Sequence, residues 1–176
     1  AMAGRKGVVA LYNYQTGEVL CMLSTPSFDP ADDAEVAKVA AGDSNYDGAY
    51  LNRFLSGTYT PGSTFKLLTA TAALETLHNE NSFSYTCKGS LTLNGEKITC
   101  PSVHGTQDFA TALANSCNGA FATLATQVGG KTLEKYAKEA GLTSKVNVNG
   151  VNTAAGSFTA GTSDNDVGWS GVGQYK

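Results

Sequence analysis

The chain has 176 residues, of which 41% are hydrophobic and only 15% charged, and it carries a net charge of −3 at pH 7. That length suits one domain with a real core, and the composition excludes an intrinsically disordered chain. The charge balance gives no electrostatic reason to expect nucleic acid or an anionic membrane as partner, and no apolar run is long enough to span a bilayer.

Residues 7–24 read as a β-hairpin, with strands at 7–12 and 18–24 around a turn at 13–17. Both strands carry apolar residues on both faces, the pattern of strands covered on two sides, so we expect this sheet to lie between layers with Cys21 in the core. The segment Thr25-Pro26-Ser27-Phe28-Asp29-Pro30 breaks the strand. Asp29-Pro30, followed by Asp32 and Asp33, resembles a helix start with proline at the first helical position, and a short helix is expected through residue 41. Residues 42–50 read as loop.

The run from Ser63 to Leu77 reads as a helix that is apolar almost all round, with Phe65, Leu67, Leu68, Ala70, Ala72, Ala73 and Leu74. Such a helix belongs in the middle of a fold. Ser63 and Lys66, three residues apart, share one face of it. Pro61-Gly62 turns the chain just before the serine, leaving Ser63 where the first helical N–H groups point outward. Burial of Lys66 would lower its pKa and make the amine a usable base near neutral pH. A nucleophile, a base and an anion-friendly helix terminus therefore coincide. A Ser-x-x-Lys spacing also arises by chance at ordinary helix starts, but this instance opens the most apolar helix of the chain.

The four cysteines, Cys21, Cys87, Cys100 and Cys117, lack the paired Cys-x-x-Cys spacing of a zinc site. Asn94-Gly95 is a strong hairpin signal, and centring the turn there places Gly89 opposite Cys100 with Cys87 diagonal to it. A diagonal separation of about 7 Å is at the edge of disulfide reach, so a Cys87–Cys100 bridge and two buried thiols both fit. Residues 101–105 read as loop, and Thr106 or Asp108 can cap a helix over 109–115. After the break at Ser116-Cys117-Asn118, a helical apolar pattern runs over 120–128 to Gly129-Gly130. An amphipathic helix follows at 131–140, closed by Gly141. From residue 143 onward the chain is rich in Gly, Ser, Thr, Asn and Asp and reads as loop.

Ser-x-Asn occurs twice. Ser116-Cys117-Asn118 lies between two apolar helical segments, where a short loop can aim both polar side chains at one point; the plain alternative is a helix–helix turn with polar caps. Ser163-Asp164-Asn165 lies in the polar tail with nothing to fix its geometry and is set aside. Other chemistries fall away. Gly129-Gly130-Lys131-Thr132 lacks the glycine a phosphate loop needs at position 125, which is Ala125. No Gly-x-Ser-x-Gly elbow occurs. His78 and His104 are too few and too far apart for a histidine triad or a metal site, and read as local hydrogen-bonding residues. Neither a metal nor a cofactor is called for.

Together, Tyr59-Thr60-Pro61-Gly62-Ser63-Thr64-Phe65-Lys66 and Ser116-Cys117-Asn118 resemble the motifs of the penicillin-recognising serine transpeptidases. Leu51-Asn52-Arg53, the hairpin segment Gly17-Glu18-Val19-Leu20, Ser27-Phe28-Asp29-Pro30, His104-Gly105 and Gly171-Val172-Gly173-Gln174 are similar to further landmarks of that family. The resemblance spans nearly the whole chain and points to a class B-like penicillin-binding protein. It implies an α+β fold, a central antiparallel sheet with helices on both faces. It also implies that Ser63 is acylated by a D-Ala-D-Ala stem peptide or a β-lactam, and that Lys66 takes the serine proton. Ser116 would relay a proton to the leaving group, and Asn118 would bind the substrate amide. No cofactor is implied, and the implied location is the outer face of the cytoplasmic membrane, with the parent protein anchored there.

The family's third motif, Lys-Thr-Gly, has no counterpart that fits in residue type and context. Residues 1–176 therefore read as a partial transpeptidase domain lacking the Lys-Thr-Gly strand region, to be completed by a C-terminal segment. A serine β-lactamase is the rival enzyme, although no Glu-x-x-x-Asn segment follows Ser116: Glu134 and Glu139 lead to Lys138 and Thr143. A β-lactam sensor domain that stays acylated is the non-enzymatic alternative.

Overall fold

The computed structural model describes residue 2 and residues 4–174. The chain divides into two compact units, one of residues up to 58 with 145–155, the other of 59–144 with 156 onward.

In the first unit, β1 (Gly7–Tyr12) and β2 (Val19–Thr25) form the expected antiparallel hairpin, with a register shift between Leu11 and Tyr12. Among the described residues its apolar faces are left largely uncovered: Val9, Leu11, Leu20, Met22 and Leu23 are exposed, and so is Cys21, which was expected in the core. The reason is one of supply. The one helix of these residues packed on this ribbon, Arg53–Ser56, has four residues, too few to cover both faces. Helix α1 (Asp33–Ala40) starts later than Asp29-Pro30 suggests, because Asp32 caps it by accepting from the Ala34 and Glu35 N–H groups, while Asp29 forms a local turn with Ala31. Asn52 likewise caps α2 (Arg53–Ser56). Residues 147–148 and 151–152 form a second small hairpin around Asn149-Gly150, the same turn signal as Asn94-Gly95, in a stretch that the sequence suggested was loop.

The second unit holds the core. A 3-10 turn, Gly62–Phe65, leads into α3 (Lys66–Leu77). Four short strands follow: β3 (Tyr85–Cys87), β4 (Ser90–Leu93), β5 (Glu96–Thr99) and β6 (Gly105–Gln107), paired antiparallel as β3 with β6 and β4 with β5. Then come α4 (Phe109–Ala114), α5 (Asn118–Val128), α6 (Gly130–Glu139) and α7 (Asp164–Gly171). The α+β class and antiparallel pairing agree with the sequence-based expectation.

Two assignments shift. The central helix is α5, buried along Gly119, Ala120, Phe121, Ala122, Leu124 and Ala125, whereas α3 has two faces. Its Lys66, Thr69, Ala70, Ala72 and Ala73 are buried, but Leu67 is 63% and Leu74 41% exposed. The tail also contains a helix. Ser163 and Asp166 form a reciprocal capping box at the start of α7, and Asn165 is buried and donates to Glu96. Two glycines inside α7 hid it from a propensity reading, since glycine disfavours helix. Here they permit close approach: a Cβ on Gly168 would meet Ile98, Leu93 and Ala122, and one on Gly171 would collide with Ala125.

The Cys87–Cys100 bridge does not form; all four cysteines are free thiols. Cys100 does lie opposite Gly89, to whose carbonyl it donates at 2.9 Å. But Gly89, at φ +88°, turns the chain between Cys87 and β4, so Cys87 pairs with Gly105 in the other sheet.

Two substitutions test this packing by urea unfolding of the protein carrying this chain. Gly171→Ala forces α7 off α5 and should cost about 1–3 kcal/mol. Ser163→Ala removes only the cap and should cost about 1 kcal/mol. Equal losses would show that the α5–α7 approach does not depend on glycine.

Candidate active site

Ser63 is solvent-exposed on the 3-10 turn, and Lys66 begins α3 with 1% of its surface accessible. The turn is held from behind by the chain's last described segment. Gly62 N–H donates to the Gly173 carbonyl at 2.9 Å, and a Cβ on Gly173 would collide with the Gly62 carbonyl. Thr69 Oγ1, one turn into α3, donates to the Gly171 carbonyl at 2.8 Å.

Ser116 occupies the junction of α4 and α5. The Ser116 N–H donates to the Leu113 carbonyl and the Cys117 N–H to the Ala112 carbonyl, which is a Schellman closure of α4. That closure requires a left-handed residue, usually glycine, yet here it is Ser116 at φ +51°. A non-glycine residue in this region carries strain, and here the conformation aims both its carbonyl and its hydroxyl at Lys66. Asn118 opens α5, and its Nδ2 donates to the Thr99 carbonyl at 2.7 Å, which turns its Oδ1 the other way.

These residues converge on one amine. Lys66 Nζ lies 3.2 Å from Ser63 Oγ, 2.9 Å from Ser116 Oγ, and 2.6 Å from both the Ser116 carbonyl and Asn118 Oδ1. Carbonyl oxygens can only accept. In the neutral amine they take up both N–H bonds, so the lone pair is left for the hydroxyls of Ser63 and Ser116. Burial pushes the Lys66 amine below its ordinary pKa, with the neighbouring Cys100 and Cys117 opposing that shift. The amine is thus suited to take a proton from Ser63 and to exchange one with Ser116. A cleft of about 410 Å³ opens over the pair, lined by Ser63, Ser116 and Asn118 together with Thr99, Cys100 and Gln174. All four residues singled out in the sequence, Ser63, Lys66, Ser116 and Asn118, are therefore brought together; Ser163-Asp164-Asn165 instead starts α7.

Directly beside this cleft the structure gathers three cysteines and a histidine, of which the sequence reading had brought together only Cys87 and Cys100. One ligand atom each from Cys87, Cys100, His104 and Cys117 lies within 4.8 Å of all the others. Cys100 and Cys117 sulfurs are 3.8 Å apart, and the Gly119 N–H points at Cys100 Sγ at 3.3 Å. His104 is not a local hydrogen-bonding residue at Nδ1, which is buried with no partner among the described residues. Burial works against the thiolate at both Cys87 and Cys100. Backbone hydrogen bonds from His104 and Gly89 select Cys87, lowered to about 6, while Cys100 is pushed up to about 11. The missed signal was Cys100-x-x-x-His104, a ligand-like spacing with its partners thirteen residues away on either side.

Comparison with known proteins places this geometry in context. The chain is 36% identical over 148 residues to stage V sporulation protein D of Bacillus subtilis, covering 81% of this chain and 21% of that protein. It is 33% identical over 153 residues to the peptidoglycan D,D-transpeptidase PbpA of Mycobacterium tuberculosis, covering 79% of this chain and 31% of that protein. The chain thus spans about a fifth to a third of the length of these relatives. Among solved structures, the imipenem acyl-enzyme complex of penicillin-binding protein A from M. tuberculosis superposes with a TM-score of 0.80 at 28% identity, covering 97% of this chain and 42% of that one. The D,D-transpeptidase domain of a peptidoglycan glycosyltransferase from Eggerthella lenta gives 0.84 at 25% identity, covering 98% and 42%. The family model for the penicillin binding protein transpeptidase domain matches residues 7–174, which leaves almost none of the chain outside it, and the chain belongs to that family.

Proposed function

We propose that this chain carries the nucleophile side of a peptidoglycan D,D-transpeptidase site, in which Ser63 is acylated by a D-Ala-D-Ala stem peptide and, as a dead end, by β-lactams. The observation that carries the reading is the buried Lys66 amine in contact with both Ser63 Oγ and Ser116 Oγ. Relatives named peptidoglycan D,D-transpeptidases and neighbours solved as β-lactam acyl-enzymes support it.

In this mechanism Ser63 Oγ attacks the carbonyl carbon of the penultimate D-Ala while its proton passes to the Lys66 lone pair. The tetrahedral oxyanion faces the Ser63 backbone N–H, in the first helical turn where N–H groups lack helical partners. Ser116, hydrogen-bonded to Lys66, relays the proton to the departing D-Ala amine. An acceptor amine from a second stem peptide then attacks the ester, and the proton path runs in reverse. Asn118, its amide fixed by Thr99, presents its remaining hydrogen-bonding capacity to the substrate backbone. In a β-lactam the leaving amine stays tethered to the acyl group and blocks the acceptor. The setting consistent with this chemistry is the outer face of the cytoplasmic membrane; no helix of the described residues is long and apolar enough to cross one.

In the full-length protein, fluorescent penicillin should label the wild type and not Ser63→Ala; labelling that survives this change removes the proposal. Rapid turnover of a chromogenic β-lactam would point to a β-lactamase instead. Lys66→Met should slow acylation by about 10²–10⁴-fold, the usual reach of general base catalysis.

The pH dependence has a definite sign. The acylation rate should rise with pH along one ionisation whose midpoint lies below the ordinary lysine value of 10.5, and Lys66→Met should lose that limb. The unfolded chain holds the Lys66 proton more tightly than the folded one. The contribution of this residue to stability therefore rises as pH climbs from the folded to the unfolded pKa.

A further inference from the structure

Ser116 holds a left-handed backbone conformation, at φ +51°, that a serine keeps only under constraint, and both of its contacts to Lys66 depend on it. Helix α4, which ends there, has six residues and is too short to supply that constraint alone. We infer that Gln107, acting through Asn115, is a positioning residue that holds Ser116 in place as the proton relay to the leaving group. This role rests on the transpeptidase chemistry above and belongs to a residue that chemistry does not itself involve.

Gln107 closes β6 and Asp108 caps α4, so Gln107 lies just ahead of the helix. Asn115 is the C-cap, immediately before Ser116. Asn115 Nδ2 donates to Gln107 Oε1 at 2.8 Å, and this one bond ties the two ends of α4 together. Asn115 is exposed, whereas Gln107 has only 2% of its surface accessible, so Gln107 is the fixed end of the pair. Burying an amide is costly where its groups go unmatched, and Gln107 Nε2 has no hydrogen-bond partner among the described residues. A leucine of similar size would fill the position without that cost. What the amide contributes there is the bond to Asn115.

The strand pairing places Gln107 for this task. It stands opposite Tyr85 of β3, and directly opposed residues share a face of the sheet. On that face the Tyr85 hydroxyl lies against Gly119, where an added Cβ would collide with it. The two cross-strand neighbours thus grip the chain on either side of Ser116-Cys117-Asn118, one at residue 115 and the other at residue 119. The opposite face carries Thr86 and Thr106, whose exposed hydroxyls bond to each other at 3.0 Å.

One proton transfer depends on this grip. In acylation the bond from Ser63 Oγ to the carbonyl carbon forms and the C–N bond to the departing D-Ala breaks. The amine leaves with a proton from Ser116, which Lys66 replaces with the one taken from Ser63. Where sulfur stands in place of that nitrogen, the bond broken is C–S. The thiolate, whose thiol has a pKa of about 8.5, leaves without a proton. A slackened Ser116 therefore slows the first reaction and spares the second, whereas a loosened fold or a displaced Ser63 slows both.

The test uses the full-length protein with an acyl-D-Ala-D-Ala peptide and with its thioester counterpart, the released D-Ala or thiol acid being measured by chromatography. Asn115→Ala, at an exposed side chain, and Gln107→Leu should each lower kcat/KM for the amide about tenfold and for the thioester less than about twofold. Either change removes the same bond, so the double variant should be no slower than the single ones. Thr106→Val, on the opposite face of β6, should alter neither rate.

Equal slowing of both substrates, additive losses in the double variant, or an amide-selective loss with Thr106→Val would overturn the role of Gln107. So would variants that match the wild type on the amide. Wild type that reacts with neither substrate and takes no penicillin label would remove the transpeptidase reading, and this role with it.

Discussion

A lysine amine taken out of water must be matched by hydrogen bonds or the fold will not tolerate it, and in this chain that requirement organises the site. Lys66 satisfies it with four oxygens from three residues on two distant stretches of sequence. Two of those oxygens are carbonyls and two are hydroxyls. The carbonyls hold the amine in place, and the hydroxyls are the groups between which it can move a proton. The arrangement that offsets the cost of burial is thus the same one that sets the amine against both hydroxyls, and burial itself supplies the lowered pKa.

The convergence depends on unusual backbone at both ends. On one side, Ser116 occupies the left-handed position that closes α4, and only there do its carbonyl and hydroxyl both face the amine. On the other, the turn carrying Ser63 rests on Gly173, at a separation no side chain could share. Helix α7 brings that glycine into place and reaches α5 through Gly168 and Gly171. Glycines that weaken α7 as an isolated helix are what allow it to dock.

The cysteine–histidine cluster belongs to the same mechanical problem. A strained loop between two helices holds its geometry only if its surroundings over-determine it. Asn118 is tied to Thr99, Gly119 to Cys100, and Cys117 lies against Cys100. The segments so joined are short strands with little cohesion of their own, so these contacts bear on the Ser116–Asn118 loop rather than on the core.

Much of the site was legible from the sequence because its signals are local. Ser63 and Lys66 share a helix face by spacing alone, Ser116-Cys117-Asn118 interrupts two apolar helices, and Asn94-Gly95 and Gly141 mark a hairpin and a helix end through their own φ preferences. What the tertiary structure decided are properties of neighbours. The apolar faces of β1 and β2 looked like core but are exposed, since periodicity reports which residues could be buried and not whether anything covers them. Helix α7 exists because α5 and β5 receive it, against its own propensity. Gly89 separated Cys87 from the strand that leads to Cys100, and the fold then returned both to one place with His104 and Cys117. Sequence determined that a serine hydroxyl and a lysine amine share one face at a helix start; only the packing of distant segments could determine what surrounds them.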